Sequence, residues 1–415
     1  MELDCDSAIQ FALETLGKED FRLKDIQKDA ITAVLNNKDT FVQVPTGYGK
    51  SLIYQVLPYC FDFLYDDKEK KNMVIIVSPL KALLDDQIDS LQKCGCSVLN
   101  VKDTTKEEVD DIKKAKYNFI YTTPESIVNN STWKEILMSD YFQKHCKVVV
   151  VDEAHCLIKW AKFRNDYQKI NEVSSLLPRA TILALTATIT SNGITKISEI
   201  LCMRPGSKYF RKSMVKENIY YELTNQNMNE ILVKLSKEVY EKRKQTERTV
   251  IYSTSLLKIS QYYLGFGILL QRLNIPESER DELFGVYCSV TRDDMKESHL
   301  KSLQTSDGSL RIIFASSAFG LGVDAKSITR IIHDSCPETL DDYLQETGRA
   351  GRGGERCLAT LRAKKTVHTD PKMQEYLKIS TCRRNFFLHH YGFPASQNVD
   401  INCCDNCKNK INEMS

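Results

Sequence analysis

No apolar run in this 415-residue sequence approaches the roughly 18 residues of a membrane-spanning helix. The opening, MELDCDSAIQ, has neither the basic start nor the apolar core of a secretory signal, so a cytosolic or nuclear address is expected. Charge of one sign is also scarce in excess: 57 Lys+Arg stand against 55 Asp+Glu, a formal net charge of +2, and any polyanion site must come from local distribution. Internal repeats and low-complexity stretches are missing, which removes solenoids and disordered arrays from consideration. What remains is a chain with 42% hydrophobic and 27% charged residues, too long for one ordinary core and therefore expected to form two or three domains. Fourteen cysteines could suggest disulfides, yet most stand singly in apolar segments (Cys60, Cys146, Cys202, Cys288), as reduced cysteines do in intracellular proteins.

Short β-branched runs at 41–44, 73–77, 119–122, 148–151 and 182–185 are each followed by turn or polar residues. They alternate with helix-length segments such as 80–91, where Leu80, Leu83, Leu84, Ile88 and Leu91 form one apolar stripe. This is βαβ patterning, and it predicts a parallel sheet buried on both faces. The pattern breaks near Arg204-Pro205-Gly206, and a second series follows at 250–252, 284–287, 311–315 and 328–333, which predicts a second α/β lobe. After about position 365 the strands stop. A helical stretch over 371–391 then leads into a cysteine cluster.

The segment 45–51, PTGYGKS, lies between apolar runs in the layout of strand, phosphate loop and helix. Gly47 and Gly49 let backbone N–H groups turn toward phosphate oxygens, Lys50 reaches the β/γ-phosphates, and the Ser51 hydroxyl holds Mg²⁺ at the helix N-terminus; Thr46 and Tyr48 complete the cradle. The general pattern GxxxxGK[ST] wants glycine at position 44, where Val44 stands. A bare glycine turn before an ordinary helix is the alternative. The run 148–151 ends in Asp152-Glu153-Ala154-His155, which puts two carboxylates at the C-terminal edge of a strand, facing the crevice that the phosphate loop faces. Asp152 is expected to hold Mg²⁺ through water and Glu153 to polarise the water that attacks the γ-phosphate of ATP.

In the second series, Gln345 to Arg352 reads QETGRAGR. Arg349 and Arg352 lie three apart and would share a helix face, giving phosphoryl transfer the cationic pair it needs; solvated arginines on a surface helix are the alternative. From Arg356 onward ten basic residues face five acidic ones, so the tail is a candidate phosphate-contacting surface, although charge runs are often only solvated faces. Cys382, Cys403, Cys404 and Cys407 form a candidate structural Zn²⁺ site, against the alternative of independently buried cysteines. His389 and His390 nearby are read as surface or DNA-facing residues rather than ligands.

The order of PTGYGKS (45–51), SPLKALLDDQ (78–87), DEAHC (152–156), ALTAT (184–188), SSAFGLGVD (316–324) and QETGRAGR (345–352) resembles the RecQ family of superfamily 2 DNA helicases over about residues 21–407. The CCDNC doublet is similar to the Werner syndrome helicase branch. The resemblance implies an α/β fold of two RecA-like lobes with parallel sheets, at 1–206 and 207–365, and a small helical zinc-binding subdomain at 366–415. It implies ATP, Mg²⁺ and Zn²⁺ as cofactors, single-stranded DNA and single/double-strand junctions as partners, 3′ to 5′ translocation coupled to ATP hydrolysis and unwinding, work in repair, recombination or replication, and residence in the nucleus. Gln27 resembles the family's adenine-reading glutamine, with Lys24 where an arginine is usual. Arg349 and Arg352 are implied arginine fingers, Gln345 a member of the same motif, Ser78 and Pro79 DNA contacts, and Thr186 and Thr188 couplers of ATP to DNA. Trp160 and Phe163 could stack on bases and Arg164 could relay DNA occupancy, the alternative for the two aromatics being core packing.

Three places depart from the family pattern. Phe21-Arg22 sits two residues early relative to Gln27, the loop around Trp160 is one residue shorter and lacks a histidine, and Val286 to Val290 reads VYCSV where Tyr-His-Ala-Gly is usual. Besides a helicase, two functions remain open at this point: a DNA-stimulated ATPase or annealing factor with little unwinding, and a zinc-dependent DNA-binding scaffold with a decayed ATPase. The scaffold would be signalled by loss of Lys50, Glu153 or Arg352, and all three are present.

Overall fold

The computed structural model describes residues 3–65, 72–78, 81–101, 106–114, 116–128, 131–160, 170–305, 307–320, 325–363, 369–397 and 401–414. The chain divides into two compact units, Met1–Lys212 and Ser213–Ser415.

The first unit contains β1 (Thr40–Gln43), β2 (Met73–Val77), β3 (Val98–Asn100), β4 (Phe119–Thr122), β5 (Cys146–Val151), β6 (Thr181–Thr186) and β7 (Lys208–Arg211). They form one parallel sheet in the order β3-β4-β2-β5-β6-β1-β7. Side chains alternate between the faces of a strand, and both faces here are apolar. Val42, Val74, Ile76, Val148, Val150, Leu183 and Leu185 pack on one side with helix residues such as Ile31, Val34 and Ile53. Phe41, Ile75, Val149, Ile182 and Ala184 pack on the other with Trp133, Phe142 and Ile197. Burying one such aliphatic side chain contributes about 1.5–3 kcal/mol, which is why the central strands read as unbroken Val/Ile runs. The stripe expected over 80–91 is met by the helix Lys81–Lys93, in which Leu84, Ile88 and Leu91 are buried; Leu80 lies outside the described residues. Beyond the Arg204-Pro205-Gly206 break, β7 pairs with β1 from Thr40↔Lys208 to Gln43↔Arg211. Asp39, buried just before β1, holds this region by accepting hydrogen bonds from Arg204 Nη2 (2.6 Å), Arg204 N (2.7 Å) and Ile182 N (2.9 Å).

The second unit contains β8 (Ile219–Thr224), β9 (Arg248–Tyr252), β10 (Phe284–Tyr287), β11 (Ile312–Ala315), β12 (Ile328–His333) and β13 (Cys357–Arg362), again parallel, in the order β10-β11-β9-β12-β13-β8. The helices Met228–Lys242 and Leu256–Arg272 cover one face, where Phe266, Phe284 and Phe314 meet edge to face at 5.4 and 5.7 Å between ring centroids.

The helical stretch expected over 371–391 is two helices, Pro371–Lys378 and Arg383–His390, parted at 379–382, and a third, Asp405–Met414, carries Cys407. This tail is joined to the second sheet. Cys404 bridges Tyr221 of β8 in parallel, Leu223 N donates to Asp405 Oδ2 at 2.8 Å, and Tyr221, Tyr343, Tyr376 and Phe387 pack ring against ring. The expectation of a basic tail facing phosphate needs correcting for its buried arginines. Arg383 donates to Asp405 and to Tyr376 O, Arg384 to Glu217 O, and Arg362 to Asp334, so these guanidiniums brace the fold. Among the described residues no helix is long and apolar enough to cross a membrane.

Candidate active site

The adjacent strands β5, β6 and β1 end at one edge of the first sheet, and the loops that leave them carry the candidate chemistry. β1 runs into the loop 44–49, which ends at Gly49 in left-handed backbone (φ 93°) as the N-cap of the helix Lys50–Gln55. Only glycine fits there: a Cβ would lie 2.6 Å from Gln27 Nε2. The helix start presents backbone N–H groups suited to anionic oxygens. Gln27 is fully buried and holds the loop, donating to Gly49 O (2.9 Å) and Tyr48 O (3.3 Å) and accepting from Lys24 N (2.9 Å). Its carboxamide is therefore engaged at both ends, and reading a base would require exchanging those bonds. Lys24 Nζ donates to Tyr48 O at 3.0 Å and stands 4.3 Å from the Tyr48 ring centroid, with Lys212 at 5.2 Å. Burial and then the neighbouring Lys212 ammonium lower the Lys24 pKa.

At the end of β5, Asp152 is buried and accepts from Glu153 N at 2.9 Å. Glu153 takes a positive φ of 48°, a conformation that costs a non-glycine residue about 1–3 kcal/mol and recurs at functional sites. Its carboxylate meets Lys50 Nζ at 2.7 Å and His155 Nδ1 at 3.3 Å. Burial raises the Asp152 carboxyl above its ordinary range, with Lys50 opposing. Burial works against the Glu153 charge too, but Lys50 and His155 outweigh it and hold that carboxylate well below its usual range. For His155, burial is outweighed by Cys156 and Glu153, and the imidazole is pushed up to about 10. His155 Nδ1 also shares a 3.1 Å hydrogen bond with Thr186 Oγ1 at the end of β6, and Thr186 Oγ1 donates to Thr188 O at 3.3 Å. The carboxylate pair is thus wired to the segment expected to couple ATP to DNA.

One residue of the site carried no expectation. Gln87, on the helix Lys81–Lys93, accepts from Tyr54 Oη at 2.6 Å, donates to Ser51 Oγ at 3.4 Å and favours the charged form of the nearby Asp152 carboxylate. It lies beside the two side chains expected to hold Mg²⁺, and although it closes the motif SPLKALLDDQ (78–87), its place at the phosphate loop is set by the fold. Ser51 and Asp152 offer hard oxygen donors suited to Mg²⁺. Of the expected DNA contacts, Ser78 is buried at the end of β2, and Pro79, Phe163, Arg164 and the side chain of Trp160 lie outside the described residues.

In the second unit the arginine motif departs from its expected shape. The helix Leu340–Thr347 carries Gln345 and stops at Gly348, so Arg349 and Arg352 sit on the turn that follows and do not share a helix face. Glu346, inside the motif, is buried against His333 Nε2 at 2.8 Å.

The sulfurs of Cys382, Cys403, Cys404 and Cys407 all lie within 4.8 Å of one another. A tetrahedral Zn²⁺ with thiolate ligands at about 2.3 Å spaces its sulfurs about 3.8 Å apart, so this cluster fits the ion in donor type and spread. Arg383 N donates to Cys404 Sγ and Asn385 N to Cys382 Sγ, and Cys382 caps the helix Arg383–His390, where the helix dipole favours a thiolate.

Known proteins agree with this architecture. A family profile described as DEAD/DEAH box helicase matches residues 24–197, and one described as Helicase conserved C-terminal domain matches 227–354. The ATP-dependent DNA helicase Q1 of Mus musculus is 28% identical over 93% of this chain and 60% of its own length. The ATP-dependent DNA helicase hus2/rqh1 of Schizosaccharomyces pombe is 31% identical over 82% of this chain and 25% of its own. The chain thus spans less than two thirds of either relative. The crystal structure of the DUF1998 helicase MrfA bound to DNA superposes with a TM-score of 0.68 at 17% identity, covering 94% of this chain and 54% of that one. With two RecA-like parallel-sheet units, helicase profiles on both and a four-cysteine cluster in the second, this chain carries the paired DEAD/DEAH box and conserved C-terminal helicase domains and is similar over most of its length to RecQ-family helicases.

Proposed function

We propose that this chain is the motor core of an ATP-dependent DNA helicase that moves 3′ to 5′ along single-stranded DNA and opens single/double-strand junctions, in repair, recombination or replication in the nucleus. The observation that carries the reading is the contact of Lys50 with Glu153, beside buried Asp152 at the strand ends. A γ-phosphate entering the loop competes with Glu153 for the Lys50 ammonium. As the ammonium turns to phosphate, the Glu153 carboxylate is released to orient a water, and its depressed pKa keeps it an acceptor throughout the physiological range. Thr46, Gly47, Tyr48 and Gly49 wrap the phosphates, with Lys24 and Gln27 on the base side of the loop. Mg²⁺, when bound, neutralises phosphate oxygens; Ser51 and Asp152 would hold it. Arg349 and Arg352 answer the charge that spreads over the transferring phosphoryl group. Ser78, Pro79, Trp160, Phe163 and Arg164 contact DNA, and Thr186 with Thr188 reports on the carboxylates through His155. The cysteine cluster holds Zn²⁺ as a structural ion and takes no part in hydrolysis.

The reading is tested by ATPase rates with and without single-stranded DNA, followed by displacement of a strand annealed beside a 3′ overhang. DNA-stimulated hydrolysis together with displacement is expected. Hydrolysis without displacement would leave a translocase, and no hydrolysis would leave only a DNA-binding scaffold.

A further inference from the structure

The turn that carries Arg349 and Arg352 is held by two side chains from a different part of the chain. Lys216 Nζ donates to Gly348 O at 2.9 Å and Ala350 O at 2.8 Å. Two residues on, Asn218 Nδ2 donates to Gly351 O at 3.1 Å and Glu355 O at 2.6 Å, while Asn218 O accepts from Cys357 N at 2.8 Å. Four carbonyls of the 348–355 turn are thus gripped by the segment that enters β8. The fit is close: Gly351 has φ 63°, and a Cβ there would fall 2.3 Å from Asn218 Nδ2. Lys216 pairs with carbonyl oxygens where a carboxylate would be the ordinary partner, and it lies among Arg352 and Arg349, with Glu355 on the same turn and Cys357 at the start of β13.

We propose that Lys216 and Asn218 form a clasp that fixes how Arg349 and Arg352 are presented, with Lys216 a positioning residue for phosphoryl transfer. The proposal rests on the arginine-finger reading above. Hydrogen bonds from a charged donor are roughly twice as strong as neutral ones, so the clasp is tightest while Lys216 is an ammonium. Burial and then the adjacent Arg352 push its pKa down to about 8. The ammonium therefore prevails below pH 8 and is lost above it.

The test compares Lys216→Met, Lys216→Arg and, as a check on the underlying reading, Arg352→Ala, using fluorescent-nucleotide binding, DNA-stimulated kcat and its pH profile. Lys216→Met should lower kcat by about 10–100-fold, the scale of a small misplacement of catalytic groups, while nucleotide affinity stays within about two-fold. The wild type should lose kcat above pH 8, and Lys216→Arg should recover most of kcat at neutral pH and remove that decline. If Lys216→Met folds poorly, the Lys216→Arg profile decides. An unchanged kcat in folded Lys216→Met, or a pH decline that persists in Lys216→Arg, overturns the clasp alone provided Arg352→Ala is inactive. Full activity in Arg352→Ala overturns the arginine reading, and the clasp falls with it.

Discussion

The two units share a fold plan and differ in what they do with buried charge. Among the described residues the first unit buries the carboxylates of Asp39 and Asp152 and no arginine, whereas the second buries Arg248, Arg311, Arg349, Arg362, Arg383 and Arg384. Arg248 shows the purpose of the second set: it donates to the carbonyls of Ser302, Leu303, Thr305, Gly308 and Lys326, gathering a loop around the first residue of β9. Arg362 likewise ties the end of β13 to Asp334, which also accepts from Lys258 Nζ at 3.0 Å. A buried charge without a partner costs several kcal/mol, and Arg248, Arg362, Arg383 and Arg384 each donate to a carboxylate or to carbonyl oxygens. In the first unit Glu153 pairs with Lys50 beside buried Asp152, the contact that phosphate is proposed to compete for. Asp39 in the first unit is fixed by Arg204, so on the proposed reading only the Lys50–Glu153 pair is exchangeable, whereas the second unit's charges hold its turns and its cysteine tail.

Four substitutions bear on that contrast. The largest effect is expected from Lys50→Ala, which should reduce DNA-stimulated hydrolysis by about 10²–10³-fold, the scale of losing one preorganised electrostatic contact. Its melting temperature should stay near wild type, and wild-type rates in this variant would refute the site. Asp334→Ala should do the reverse, destabilising the fold by about 3–5 kcal/mol in urea titrations because Arg362 stays buried without its carboxylate. If it melts like wild type, the second unit's charges are not braces. Next, Cys404→Ser should release zinc, read by metal analysis, and speed proteolysis of the 371–414 segment; full metal retention would remove Cys404 from the ligand set. The mildest is Gln87→Ala, expected to raise the Mg²⁺ concentration needed for nucleotide binding about 10-fold, as loss of a partner that orients metal ligands does elsewhere. Binding that is equally Mg²⁺-dependent in both proteins would show that Gln87 only packs.

The same contrast explains what could be read from sequence. The central strands at 73–77, 119–122 and 148–151 are legible because both faces are buried and the residues are continuously apolar. β3, β7, β8 and β13 are not: β3 has three residues, β7 (KYFR) is a partly exposed edge of the first sheet, β8 (IYYELT) alternates at an edge of the second, and β13 ends in Arg362. That arginine looks incompatible with an interior strand until Asp334, 28 residues earlier, neutralises it. The phosphate loop and the Asp152-Glu153 pair are legible since their geometry is local. The arginine motif was recognisable as a string, but Gly348 ends the helix too early for the helix-face argument. Gln87, His155 to Thr186, and Lys216 to the 348–355 turn arise from long-range juxtaposition, which spacing along one chain does not encode.

Glu153 sits in backbone that glycine alone adopts without strain. The one substitution that would relax this corner therefore also deletes the group proposed to aim the water. Local comfort and turnover are set against each other at a single Cα, and a search for stabilised variants of this protein should find position 153 attractive for melting temperature and ruinous for work.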